Sequence, residues 1–200
     1  MYSIPTDILI GEQSYHITND GDYRMVLDCF AALEDPELQK EERIATALII
    51  FYEDLNDLAD LGKIDLEIAV KEMFKFFNCG EEHAVGAELN HKVIDWQQDS
   101  NLICSAVNNV AKKEVRAEQY LHWWTFFGYY LAIGESPLAT VVSIRNKILK
   151  GKKLEKYEQE FRRSNPRYFV WNDKTVDQAE ADAWARKMWN SGKKEPIEDG

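Results

Sequence analysis

The residues with the widest chemical reach lie between 79 and 91. Cys79-Gly-Glu-Glu-His83, with His91 further on, sets a thiol, carboxylates and imidazoles in one short segment. Thiolate, carboxylate and imidazole are the donors of metal sites, and zinc sites bring them in at characteristic close spacings. Neither a CxxC nor an HExxH is present. The segment also lacks a helical or strand period that would hold ligands in register. Solvated surface residues are therefore the favoured reading, and no metal ligand is assigned. A small metal enzyme using Cys79 to His91 remains the third-ranked function.

Other candidates for chemistry are weaker. His122 stands beside Trp123, and no Ser or Cys partner can be assigned to it from sequence. It is expected to donate a hydrogen bond in or at the edge of the core. The acidic runs EDPELQKEER and EDLNDLAD read as solvated helix faces. A catalytic carboxylate pair needs a neighbour that moves one pKa, and none is evident. No GxGxxG, GxxxxGKS/T or GxSxG motif occurs. No catalytic residue and no cofactor is assigned.

The elements that would carry such residues are mostly helices. Glycine and proline are scarce, hydrophobic residues make up 45% and charged residues 30% of the 200, a composition suited to a globular helical protein. DILIGEQSYHIT predicts a hairpin of strands Asp7–Ile10 and Ser14–Thr18. Tyr23, Val26, Leu27 and Phe30 share one helix face, with Asn19, Asp20 or Asp22 as cap. A second helix is predicted over Glu37–Tyr52, and a short helical turn over Asp54–Leu61. A third helix is capped by Asp65 and stops at Asn78-Cys79-Gly80. Asp95 is read as opening a helix with Ile103, Ala106, Val107 and Val110 on one face. Further helices are predicted from Glu118 to Gly134, from Ser136-Pro137 to Gly151, over Leu154–Arg163, and from Thr175 through Ala181, Trp184, Ala185 and Met188. The fold class is mainly α: a compact multi-helix domain over residues 1–166 with a small N-terminal β-hairpin. Residues 167–200 form a C-terminal helical extension and a disordered tail.

YLHWWTFFGYYLAIG, residues 120–134, holds two Trp, three Tyr and two Phe. Its apolar residues cover every side of a helical wheel, so it is predicted as a core helix enclosed by the others. Gly128 is read as a point where a neighbouring backbone comes close. A ligand cage is the minor alternative, because no convergent polar groups accompany the aromatics. The apolar run Leu121–Ile133 is short of the roughly 20 residues that span a bilayer. MYSIPTDILI carries no basic region followed by a long apolar run, so no secretory signal is expected. Cys29, Cys79 and Cys104 are odd in number and far apart, which suits free thiols in a reducing compartment.

The net charge of -11 disfavours nucleic acid and anionic membranes as partners. The charge is uneven. Val141 to Val170 contains nine Lys or Arg against three Glu, a local balance of +6. Arg145, Lys147, Lys150, Lys152, Lys153 and Lys156 cluster there. A solvated face accounts for most of it, and a docking surface for an acidic partner is the next reading.

The strings His122-Trp123-Trp124, Ile133-Gly134-Glu135, Val142-Ser143-Ile144-Arg145 and Lys150-Gly151-Lys152-Lys153-Leu154, followed by EKYEQEFRR, bring a resemblance into view. They resemble the bacteriophage gene-product-fifteen family of Gram-positive phages and prophages. The likeness runs over roughly residues 5 to 165, more loosely upstream at YSIPTD and DWQQDSNLICSAV. It implies a non-enzymatic tail-module protein, encoded where long-tailed phages place tail assembly chaperones. The implied partner is the tape measure protein, with the major tail protein second, in the host cytoplasm during assembly. A homo-oligomer stays open. A structural virion component, in the tail or at the head–tail junction, is the alternative. Arg145, Lys147, Lys152 and Lys153, with Trp184, Met188 and Trp189 of the last helix, are the expected partner contacts.

Overall fold

A computed structural model describes residues 3–55, 60–81 and 93–170. These residues form two compact units, 3–81 and 93–170. The described residues are mainly helical, with seven α-helices and one antiparallel hairpin. The mainly α fold class with an N-terminal hairpin therefore holds.

In the first unit, strands β1 (Asp7–Ile10) and β2 (Gln13–His16) pair with Asp7 opposite His16 and Ile10 opposite Gln13. Gly11 begins the two-residue turn at φ 64°, a left-handed conformation that glycine adopts without steric cost. Alternation puts Ile8, Ile10 and Tyr15 inside and leaves Leu9 outside. Helices α1 (Tyr23–Glu34) and α2 (Lys40–Phe51) pack on each other, and α3 (Leu66–Phe77) packs on α2 and β1. Asp22 is the cap of α1, accepting the Arg24 N–H at 2.9 Å. Asp65 caps α3 by accepting from the N–H groups of Glu67 and Ile68. The second helix starts at Lys40 rather than Glu37, because the Gln39 N–H is held by the Glu42 carboxylate at 2.8 Å and fixes the entry there.

The core of this unit is aromatic. Phe51 sits edge-on to Tyr52, Phe76 and Phe77, with ring centroids 4.8, 5.3 and 5.6 Å away. The Tyr52 hydroxyl donates to the Ala69 carbonyl at 2.9 Å, so its polar end is satisfied inside. Ile17 bridges to Tyr52, and the Glu53 N–H donates to the His16 carbonyl, which fastens the hairpin to the end of α2.

In the second unit, α4 (Ser100–Ala111) packs against α5 (Trp123–Leu131) and α6 (Pro137–Leu149). Ser136 caps α6 with Pro137 at its first position. Gly151, at φ 62°, turns the chain toward α7 (Lys156–Ser164). The fourth helix starts at Ser100, not Asp95. Asp95 instead organises the preceding turn, accepting from the N–H groups of Gln97 and Gln98.

Two expectations for the aromatic stretch are corrected. The helix begins at Trp123, not Glu118, because His122 is its cap and accepts the Trp124 N–H, while Val115–Ala117 form a separate 3₁₀ turn upstream. It is also not enclosed. Trp123 and Phe126 are buried, Trp124 and Phe127 are half-buried, and Leu131 is 68% exposed. A side chain placed on Gly128 would meet nothing within 4 Å, so no backbone comes close there. The wheel pattern is uniform, but helices of this unit cover only one side of it.

The unit is tied together by Arg145, only 4% exposed. Its guanidinium donates to both oxygens of Asp99 at 2.5 and 3.0 Å, to the Val93 carbonyl at 2.9 Å and to the Tyr168 carbonyl at 2.8 Å. A buried ion pair is a weak source of net stability, but removing one partner strands the other charge. Arg145→Ala and Asp99→Ala are therefore each expected to cost about 3–5 kcal/mol, with the double variant well short of the sum. Urea unfolding measures this, and an unmoved midpoint for Arg145→Ala would remove the guanidinium from this role. Trp123→Ala should cost about 3–5 kcal/mol and half-buried Trp124→Ala clearly less.

Candidate interaction surfaces

Three surfaces of the described residues carry the features of a functional site. The first is the outward side of α5. His122 is the cap of this helix: its Nδ1 accepts the Trp124 N–H at 3.0 Å. The expected donor is thus an acceptor at this nitrogen, and the ring is locked in the helix entry. Trp123 and Phe126 stack inward with centroids 5.8 Å apart, and Trp123 also meets Trp96 at 5.6 Å. Thr125, Gly128, Leu131 and Ala132 then fall outward, beside the half-buried Trp124, Phe127, Tyr129 and Tyr130. The result is a largely apolar helix face, with small residues exposed and aromatic side chains half-exposed beside them.

The second surface is basic. Of the expected partner contacts, Lys152 and Lys153 are exposed. Lys147 is bound to Glu158 at 2.7 Å, which links α6 to α7. That bond raises the Lys147 pKa and lowers that of Glu158. Arg145 is corrected from a surface contact to a buried one, because its donors are spent on Asp99 and on backbone carbonyls. The period-3.6 pattern of α6 does not reveal this, since an Arg among Val and Ile reads as a charged edge. Asp99, 46 residues away in sequence, was the unseen half of the pair. Trp184, Met188 and Trp189 lie outside the described residues.

The third is the rim of the hairpin. His16 Nδ1 is 3.1 Å from Asp7, and its Nε2 is 3.2 Å from Asp20 and 3.6 Å from Glu53. The His16 N–H also donates to Asp54 at 3.2 Å. The hydrogen bond to Asp7 is the largest cause of a raised His16 pKa, with the charges of Asp7, Glu53 and Asp20 adding to it. Asp7 is held below the usual carboxylate range by the Thr6 hydroxyl and then by His16. The sequence gives no warning of this cluster, because its members come from β1, β2, the turn before α1 and the end of α2.

No cysteine among the described residues is an activated thiol. Burial pushes the Cys29 thiol well up, Cys79 to about 11 and Cys104 upward as well, whereas reactive thiols are depressed. His83 and His91 lie outside the described residues, and no group of three or more potential metal ligands occurs among the described ones. A cleft of about 440 Å³ lies between α4 and the start of α6, lined by Ser105, Asn108, Asn109 and Glu135 among others, with no acid–base pair in it. No helix among the described residues is long and apolar enough to cross a membrane.

The profile of one protein family, Bacteriophage Gp15 protein, matches residues 4–169. No curated protein and no solved structure matches the chain.

The His16 cluster generates a pH prediction. A raised His pKa contributes stability that is fully present below the unfolded value near 6.5 and lost as pH rises through the folded value. A lowered Asp7 contributes stability present above its unfolded value near 4 and lost as pH falls. The stability difference between wild type and His16→Gln should be largest between about pH 4 and 6.5 and shrink above it. Thermal melts across pH measure this. A difference that grows toward alkaline pH would contradict the cluster.

Proposed function

Because the chain belongs to the bacteriophage Gp15 family, which points to a phage structural or assembly protein, we propose that it is a non-enzymatic tail assembly chaperone for the tape measure protein. The observation that carries this reading is the outward face of α5. Leu131 is 68% exposed on this face, and Trp124, Phe127, Tyr129 and Tyr130 beside it are only half-buried. Exposed and half-buried apolar side chains grouped on one helix face are the kind of surface a partner covers. Its apolar residues suit contact with the apolar side of an amphipathic helix.

A tape measure protein is long, helical and largely apolar before the tail tube encloses it, so it needs cover during assembly. An acidic carrier keeps such a complex in solution through its net charge. This work takes place in the host cytoplasm, and the carrier leaves before the particle is complete.

Co-expression of this chain with the tape measure protein of the same phage tests the reading. The tape measure protein should become soluble and co-purify. Leu131→Glu, at a site where substitution shifts stability by only about 0.5 kcal/mol, should reduce that recovery while the variant itself stays folded. An insoluble tape measure protein, together with this chain in stoichiometric amount in purified particles, would replace the chaperone by a virion component.

A further inference from the structure

A second surface, separate from the α5 face, has the chemistry of a specific partner. Within residues 145–163, the carboxylates of the second unit already occupy part of the basic charge. Asp99 takes Arg145, and Glu158 takes Lys147. Lys150, Lys152, Lys153, Lys156, Arg162 and Arg163 are exposed. None of these six has an ion-pair partner among the described residues. Within this stretch the inward cations Arg145 and Lys147 each meet a carboxylate, and the six outward ones are not paired with the exposed Glu155 or Glu160.

The six cations follow the contour of one connection. Lys150, Lys152 and Lys153 line the turn that Gly151 makes at φ 62°. Lys156 and Arg163 lie at i and i+7 on α7, on the side away from buried Glu158. Arg162 and Arg163 then border an open cleft of about 330 Å³ with Leu154 and Gln159. Apolar side chains rim the same stretch: Leu149 is 43% and Tyr157 63% exposed. Two guanidinium forks beside an aliphatic floor match carboxylates carried on an apolar scaffold.

We propose that the turn from α6 to α7 and the outward side of α7 form a docking surface for an acidic, amphipathic helical segment of a partner protein. Carboxylates on one side of that segment meet Lys152, Lys153, Arg162 and Arg163, and its apolar residues rest on Leu154 and Tyr157. A phosphate backbone is the weaker fit. It would approach a chain of net charge -11, and Tyr157 alone offers a stacking ring on this stretch. The inference rests on the reading of the chain as a binding protein, but not on which tail protein it carries.

Defined probes test it on the full chain. The first is a synthetic helical peptide of about five turns with Glu along one side and Leu along the other. The others are the same peptide with Lys for Glu, a short DNA duplex, and vesicles containing phosphatidylglycerol. The Glu peptide should bind, and rising salt should weaken it. A variant carrying Lys152→Gln, Lys153→Gln, Arg162→Gln and Arg163→Gln should bind it at least about tenfold more weakly with an unchanged melting midpoint. Should the four substitutions lower the midpoint, the pair Lys152→Gln and Lys153→Gln in the turn gives the same reading outside α7. The proposal is overturned if neutralisation leaves the affinity unchanged, if the Lys peptide binds equally well, if DNA or the vesicles bind more tightly, or if the Glu peptide does not bind. A tape measure protein that fails to co-purify while the Glu peptide binds would instead count against the chaperone reading alone.

Discussion

The second unit depends on one buried charge pair. Arg145 reaches from the middle of α6 to Asp99 at the head of α4 and to carbonyls at both ends of the unit, Val93 and Tyr168. A guanidinium has five donors in a fixed plane and must have most of them met once it is buried. That requirement fixes the rotation of α6 about its axis and places the first and last described turns of the unit against it. With α6 so fixed, Lys147 faces Glu158 and the cations after it face outward. The basic surface thus depends on where the buried Arg145 finds its carboxylate. The geometry also separates two uses of positive charge that composition alone merges. Of the cations between residues 145 and 163, Arg145 and Lys147 are neutralised by carboxylates, and the other six are exposed without an ion-pair partner among the described residues.

The first unit is held in another way. Its core is packed from aromatic edges around Phe51, which is fully buried. Buried aromatic surface gives large but weakly directional stabilisation. Direction comes from a few polar fixings: the Tyr52 hydroxyl on Ala69, the caps Asp22 and Asp65, and the Ile17–Tyr52 bridge. The His16 cluster sits on the rim of that arrangement. It joins the hairpin to both neighbouring helix ends, and one imidazole faces carboxylates from several elements.

Much of this architecture is legible in the sequence, because it is written in local rules. Asp65, Ser136-Pro137 and Asn78-Cys79-Gly80 mark helix ends by side-chain size, ring constraint and left-handed backbone, and the structure uses each of them there. Hairpin alternation is equally local. The helices begin at Lys40, Ser100 and Trp123 rather than at Glu37, Asp95 and Glu118, because an acidic residue ahead of an apolar pattern need not be the cap. The surfaces were less legible. The stretch from Trp123 to Leu131 is apolar all round, yet a wheel reports what a helix is able to bury, not what its neighbours actually cover. Arg145 and the His16 cluster needed partners far away in sequence, and no periodicity encodes those.

The same reasoning accounts for why the two candidate surfaces differ in kind. An uncovered apolar face such as that of α5 gains free energy from any partner that removes it from water, and so discriminates little. A surface on which cations outnumber carboxylates discriminates by sign, and over a distance of about a Debye length. Under the proposed chaperone role, the first property would serve capacity and the second the choice and orientation of the client. In this fold both come from one short run of chain. α5 presents the apolar face, and the α6–α7 turn that follows presents the charge, with Arg145 and Asp99 setting the helix between them. A substitution at that pair would therefore disturb the charged surface through the rotation of α6 without removing any of its lysines.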